Sequence, residues 1–394
     1  MPGKLMLLPM REQGDNMAEK ILVTGGAGFV GSHLVDALVE RGHTVRILDN
    51  LDPQVHGPDR KPPVYLNPDA EFVQGDVLDT ETLWRCMCDA DVVFHQAARV
   101  GVGQSMYEIL DYTRVNVLGT AKLLELLANR RSKHHIRKIL VASSMSIYGE
   151  GAYCRASGEA VSPPLRPDAQ MEHGAWEMLD PETGEVLRAA PTAESKPLQP
   201  TSVYAIGKRD QEEMVLSVGR AYRIPAVALR YFNIYGPRQA LSNPYTGVAA
   251  IFSSRILNGR APVIYEDGLQ SRDFIHVSDV VRANLLAMEK EEADYEVFNV
   301  GTGRARSILA VAQGLIARLC PGGGVQPKVE RKFRSGDIRH CYADISKIRR
   351  SLGFEPLVDF DTGGIEGLCA WAAEQEPEDK FEEATKELGK RGLV

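Results

Sequence analysis

The chain has 394 residues, with 53 acidic against 46 basic side chains, a formal net charge of −7 and a pI near 5.8. Its 44% hydrophobic and 25% charged content is that of an ordinary globular protein. The acidic balance and the scatter of Lys and Arg argue against nucleic-acid and anionic-membrane partners, and no apolar run is long enough to span a bilayer.

Residues 1–19 carry a short apolar patch at 5–8, broken by Pro9 and too short for a signal segment. They are expected to form a disordered leader, with Met17 as an alternative start. From Lys20 onward, short apolar runs alternate with helical periodicity. Strands are expected at 21–24, 44–49, 71–75, 91–95 and 138–143. Helices are expected at 28–41, from Thr80, and in one long stretch at 106–130, where Val115, Leu118, Ala121, Leu124 and Leu127 share a face. Serial β-α-β units imply an α/β fold, a doubly wound parallel sheet with helices on both faces.

The rhythm breaks at 150–199, which is too long for an ordinary βα connection and reads as an insertion on the carboxyl rim of the sheet. Two stretches inside it, 154–158 and 180–184, have the outline of zinc-knuckle turns. Only Cys154 is a cysteine, so no metal is expected. A helix at 203–222 and a strand at 226–230 complete a domain spanning 20–232. A smaller α/β substrate-binding lobe is expected at 233–372, followed by a charged, solvated tail at 373–394. The six cysteines show no paired spacing, which points to a reducing cytoplasm.

Chemistry gathers at three places. Gly25, Gly28 and Gly31 recur at every third position between a strand and a helix, with Phe29 and Val30 between the last two. Such glycines permit a tight turn, close approach of a pyrophosphate, and close helix–strand packing, and the helix N-terminus adds free N–H groups. Asp49 closes the second strand, eighteen residues past Gly31, where a carboxylate accepts from ribose hydroxyls and repels a 2′-phosphate. That favours NAD over NADP, with Asn50 beside Asp49 and with Asp76 and Val77 facing the adenine. Tyr204 and Lys208 stand four apart on a helix, hence on one face, and an ammonium there would lower the phenol's pKa toward use as a general base. Ser144, at the end of the fifth strand, is placed to donate to the oxygen that Tyr204 serves.

Five ordered motifs then carry a resemblance: T-G-G-A-G-F-V-G at 24–31, H-Q-A-A at 95–98, S-S-M-S-I-Y-G at 143–149, Y-A-I-G-K at 204–208 and R-Y-F-N-I-Y-G-P-R at 230–238. Together they resemble the extended short-chain dehydrogenase/reductase family of nucleotide-sugar epimerases and dehydratases, over roughly 20–360. The resemblance implies a Rossmann sheet holding NAD tightly, and a nucleoside diphosphate sugar in a cleft between lobes. It also implies that Ala97, Ala98 and Asn116 lie along the cofactor. Ser144, Ser146, Asn233, Arg272, Arg334 and Asp337 would surround the sugar diphosphate. A homodimer is implied, through the helices at 106–130 and 203–222.

The dehydratases of that family place an Asp-Glu pair after the serine, whereas Ser144 is followed by Met145 and Ser146. Neither moves a proton near neutral pH, so elimination is disfavoured and 4-epimerisation is the expected reaction. Decarboxylation is less favoured for want of a nearby glutamate. The segments 48–57 and 243–248 and the long insertion resemble dTDP-L-rhamnose 4-epimerases, with UDP-glucose 4-epimerases as the alternative. In the latter a lysine stands where this chain has Val100. A non-catalytic NAD-sensing regulator is a reading of another class. Such relatives typically lose the Tyr/Lys pair that this chain keeps.

Overall fold

The structure, a computed structural model, describes residues 18–334 and 336–393. Residues 1–17, and with them nearly all of the expected leader and Met17, lie outside the described residues.

The central sheet begins with β1 (Lys20–Thr24), β2 (Thr44–Asp49), β3 (Glu71–Gln74), β4 (Val92–His95) and β5 (Lys138–Ser144). The insertion contributes β6 (Ala152–Cys154), β7 (Ala160–Val161) and β8 (Arg188–Ala190), and β9 (Ala226–Tyr231) returns to the central sheet. Its order is Val297–Val300, β9, β5, β4, β1, β2, β3, with every pairing parallel. Successive side chains point to opposite faces of a strand, and here both faces are covered. Ile21 and Val23 pack under helices Phe29–Glu40 and Val277–Glu289, while Leu22 faces Leu83, Leu123 and Val215 on the other side. This two-sided burial is why the strands read as nearly continuous apolar runs.

Chain order reverses between β1 and β4, so connections leave this point in opposite directions and open a crevice at the carboxyl ends of the strands. The seventh strand, Val297–Val300, comes from beyond residue 232 and pairs with β9. The division at 232/233 therefore does not hold for the sheet. The smaller lobe keeps its own core, built from Phe252, Ile264, Phe274, Val311, Leu315 and Leu368.

Three further segments differ from expectation. The stretch 106–130 is not one helix: Ile109–Tyr112 runs into a π-helical segment, Thr113–Leu118, before Gly119–Asn129. The wider turn changes the register, so Leu118 is exposed rather than aligned with buried Leu124 and Leu127. The insertion forms a three-stranded antiparallel sheet, with β6 between β7 and β8 over a small core of Tyr153, Met178 and Leu187. Its two glycine turns, Gly158 at φ +90° and Gly184 at φ +74°, lie beside an ion cluster. Arg155 donates to Glu159 at 2.8 Å and to Asp180 at 3.3 Å. A guanidinium thus joins turns that would share a metal in a zinc knuckle. Among the described residues there is no group of three or more His, Cys, Asp or Glu side chains placed to hold a metal ion.

The tail is docked rather than solvated. Helix Phe381–Lys390 buries Ala384 and Leu388, and the approach to it is fastened by Asp379, which pairs with buried Arg255 at 3.2 Å and with Arg260 at 3.1 Å. Removing one partner of a buried pair leaves the other charge uncompensated, at a cost of about 3 kcal/mol. Asp379→Ala is therefore expected to free this helix first. Amide exchange should rise over 381–390 while the central sheet keeps its protection; equal protection in both places would contradict it.

Candidate active site

A cavity of about 680 Å³ follows the carboxyl ends of β1 to β5 and β9 and continues into the smaller lobe. Gly25, Gly28, Phe29, Val30, Gly31, Asp49, Asn50, Asp76, Val77, Ala97 and Ala98 line one part of it. Ser144, Ser146, Tyr204, Lys208, Asn233, Arg272, Arg334 and Asp337 line the rest. Of the residues singled out from sequence, Asn116 does not reach it. It is fully buried, accepts from the Arg99 backbone N–H at 2.8 Å and donates to the Arg99 carbonyl at 3.0 Å. Asn116 lies in the π-helical turn, and its amide braces the loop after β4.

The glycine turn fits a dinucleotide pyrophosphate. Gly25 sits at φ +70°, and a Cβ there would come within 2.8 Å of Ala97 Cα on β4's loop; a Cβ at Gly31 would overlap the Gly25 carbonyl oxygen. Helix Phe29–Glu40 has no side-chain cap and no acid in its first turn, so its N-terminal donors remain free for an anion. Asp49 accepts from Ala27 N at 3.0 Å and Leu51 N at 2.9 Å, which orients its carboxylate at the cavity wall. Burial raises its pKa, opposed first by the Leu51 N–H. Asp76 accepts from Asn50 Nδ2 at 2.9 Å and Leu78 N at 2.8 Å.

Tyr204 and Lys208 open helix Val203–Tyr222, where Ser202 caps Ala205 N at 3.1 Å and Ser105 Oγ takes the Tyr204 N–H at 3.0 Å. Lys208 Nζ donates to the Ala142 carbonyl on β5 at 2.8 Å. Ser144 Oγ accepts from Ser146 Oγ at 2.9 Å. Burial dominates both titrating groups. It raises the Tyr204 phenol above its ordinary value, opposed by a hydrogen bond with Ser144, and it holds the Lys208 amine down at about 7. The expected lowering of the Tyr204 pKa by an adjacent ammonium does not hold in the free site, where burial raises it and only the Ser144 hydrogen bond opposes.

Sequence reading missed a buried polar chain that joins these parts. The Ala97 N–H donates to Thr24 Oγ1 at 3.3 Å, and Thr24 Oγ1 lies 2.8 Å from His95 Nδ1. His95 Nε2 lies 2.9 Å from Thr120 Oγ1, which donates to the Asn116 carbonyl at 2.6 Å and accepts from Gln211 Nε2 at 2.8 Å. The donors and acceptors close only if His95 carries its proton on Nε2 and is neutral. Burial agrees, holding its pKa at about 3. Also unforeseen, the docked tail contributes Phe381, Ala384, Thr385 and Leu388 to the cavity.

With this geometry in hand, comparison with known proteins decides the family. The sequence pattern of the NAD dependent epimerase/dehydratase family matches residues 21–170 and 180–301. The chain belongs to that family. It is 36% identical over 361 residues to a dTDP-L-rhamnose 4-epimerase of Burkholderia thailandensis, covering 91% of this chain and 96% of the relative. Among solved structures, the UDP-glucose 4-epimerase of Thermotoga maritima with UDP-glucose superposes with a TM-score of 0.71 at 31% identity, over 90% of this chain and 99% of that one. The UDP-glucuronic acid 4-epimerase of Bacillus cereus, in complex with UDP-glucuronic acid and NAD, gives 0.71 at 26% identity, over the same shares. The cofactor named for this family fits the glycine cradle, the free helix terminus and Asp49.

The depressed Lys208 pKa has a thermodynamic consequence. An unfolded lysine binds its proton more tightly than the folded site does, so Lys208's contribution to stability rises with pH between about 7 and its ordinary value and is lost as pH falls through about 7. Lys208→Met should therefore raise the melting temperature most at pH 6, with the gain shrinking toward pH 9. A gain independent of pH would show that Lys208 is not held neutral by burial.

Proposed function

We propose that the protein is an NAD-dependent 4-epimerase of a nucleoside diphosphate sugar, with dTDP-L-rhamnose converted to dTDP-6-deoxy-L-talose as the preferred reading. The observation that supports the reaction type is the group formed by Ser144, at the end of β5, and by Tyr204 and Lys208 of helix Val203–Tyr222, with no carboxylate from these two segments lining the cavity. Nearby Glu212 is engaged by Ser143 and Arg230 outside the cavity. The cavity's carboxylates, Asp49, Asp52, Asp76, Glu266 and Asp337, belong to other segments. Elimination and decarboxylation lack the local acid or base they need, while epimerisation needs only one base at the 4-oxygen.

Gly25, Gly28, Phe29, Val30 and Gly31 would hold the pyrophosphate of NAD, with Asp49 on the adenosine ribose and Asp76, Asn50 and Val77 at the adenine. Bound NAD supplies a hydride acceptor and donor at the sugar's C4 and is unchanged over a full cycle. Tyr204 takes the proton of the sugar 4-hydroxyl and later returns it, and Ser144 holds that oxygen. Lys208 orients the site through Ala142 and the nicotinamide ribose. Asn233, Arg272, Arg334 and Asp337 would hold the diphosphate and nucleoside while the flat 4-keto sugar turns over. Asn233 lines this cavity, and its Oδ1 is buried without a hydrogen-bond partner in the protein. The similarity to a dTDP-L-rhamnose 4-epimerase supports the sugar, and UDP-glucose is the alternative.

A homodimer is part of the same reading. Ile109, Leu110, Leu118 and Ile206 are exposed on the paired helices, Leu110 at 67%. An exposed apolar patch of this kind fits a second copy of the chain. The free state of all six cysteines supports a reducing cytoplasm.

Purified protein incubated with UDP-, dTDP- and GDP-sugars should interconvert one 4-epimer pair, resolved by chromatography, without net NADH. Tyr204→Phe should lower kcat about a thousandfold, the scale of a lost general base, while bound NAD is retained. Turnover near the wild-type rate would refute the role of Tyr204. Separately, Leu110→Glu combined with Leu118→Glu should convert a dimer to a monomer by sedimentation; an unchanged dimer would place the interface elsewhere.

A further inference from the structure

We infer that the insertion 150–199 is a positioning device for the nucleotide end of the cavity, acting through Arg166. The inference rests on the nucleoside diphosphate reading above. Arg166 does not line the cavity, yet its buried guanidinium joins three segments at once. It donates to the Trp176 carbonyl at 2.8 Å, to Glu266 Oε1 at 2.8 Å and to the Asp337 carbonyl at 3.0 Å. The first contact closes the insertion on itself. The other two hold residues that form the cavity wall.

A second arginine completes the frame. Arg339, with no exposed surface, donates to the other oxygen of Glu266 at 2.9 Å, to both oxygens of Asp267 at 2.6 and 2.9 Å, and to Glu177 of the insertion at 3.1 Å. Glu177 also meets His340 Nε2 at 3.1 Å. Trp176 stands edge-on to Phe333, with ring centroids 6.4 Å apart. The insertion thus grips both sides of Arg334 and the residue after Tyr265, and Arg334 lies over the Tyr265 ring at 4.9 Å.

Glu266 itself has φ +56°, a left-handed conformation that a glutamate rarely holds. Such a conformation persists where its surroundings over-determine it, and two buried guanidinium groups do so here. A buried Arg–Glu–Arg cluster adds little net stability compared with an apolar packing of the same volume. What it supplies is a fixed geometry for the loops that present Tyr265, Arg334 and Asp337. Shortening Arg166 should therefore loosen the wall that receives the nucleoside diphosphate and leave the chemistry at Tyr204 unaltered.

The test is calorimetric titration of the NAD-loaded full chain with UDP and with dTDP. Wild type should bind at least one of them. Arg166→Met should weaken that binding tenfold or more, and Arg166→Lys, which keeps the charge but not the fork, should recover part of the loss. In turnover, KM for the sugar nucleotide should rise by a similar factor with kcat within twofold and NAD content unchanged. Should Arg166→Met fail to fold, Arg166→Lys and Trp176→Leu carry the same expectation of weaker binding at constant kcat. Unchanged nucleotide affinity in folded variants, or a fall in kcat at constant affinity, would overturn the positioning role. Failure of wild type to bind either nucleotide would instead overturn the nucleotide-sugar reading on which it rests.

Discussion

Helix Phe29–Glu40 can start where it does only because residue 31 has no Cβ to strike the Gly25 carbonyl. That single steric allowance aims an uncapped helix terminus into the crevice between β1 and β4. A second allowance, the close approach of Gly25 to Ala97, brings the β4 loop against the same turn. The rest of the site is tied to this seam by hydrogen bonds. From Thr24 through neutral His95 and Thr120 to Gln211, the hydrogen bonds run in a consistent direction. The chain ends on the helix that bears Tyr204 and Lys208. The glycine turn and the helix that bears Tyr204 and Lys208 are therefore parts of one buried framework, and a charge on His95 would break it at Nδ1, where Thr24 could no longer donate.

Helix Val203–Tyr222 is held under an electrostatic load at its start. Lys208 is buried with one carbonyl partner, and Tyr204 is buried against Ser144. Desolvation disfavours the charged forms of both, so the free site is poised with a neutral phenol and a readily neutralised amine. Such local conflict is expected where chemistry is to be done, and surrounding packing must offset it. The offset is visible nearby. Glu212 accepts from Ser143 at 2.6 Å and from Arg230 at 3.0 Å, and Arg230 reaches Tyr148 at 2.8 Å. The conspicuous Arg230 and Tyr148 of two sequence motifs thus brace the strand end that presents Ser144.

How much of this was legible follows from how local each feature is. The first five strands, the glycine turn and helix Val203–Tyr222 could be read because their signals lie within a few residues: apolar runs, glycine spacing, and Tyr204 and Lys208 four apart. The π-helical turn could not, since one extra residue per turn leaves the apolar pattern of 106–130 almost intact while moving Asn116 inward and Leu118 outward. The insertion's strands are two or three residues long and pair across a gap of more than thirty, too short for alternation to show. The tail looked solvated because its charges dominate its composition, and Asp379 meets Arg255 from 124 residues away. Strand Val297–Val300 is four residues long with Asn299 interrupting its apolar side chains, too short and mixed a signal to read as a strand.

The two ends of the cavity are consequently built on different principles. The cofactor end is made by backbone, through a turn whose glycines are fixed by contact distance and a helix terminus whose donors are intrinsic to any helix. Such a site tolerates little sequence change, which is why its motif is short and recognisable. The nucleotide end is made by side chains that meet across long separations, with Arg166, Glu266 and Arg339 contributed by three separate segments. Its shape rests on a buried ion network in which no local pattern records the outcome. A scaffold with a fixed cofactor end and a wall assembled from distant segments lets that wall vary while the glycine turn stays the same. The insertion fits this division, since it adds no strand to the seven-stranded sheet, although Thr192 and Glu194 anchor it to Asn299 and Arg230 at the sheet's edge, and through Arg166 and Glu177 it reaches the loops of the second lobe.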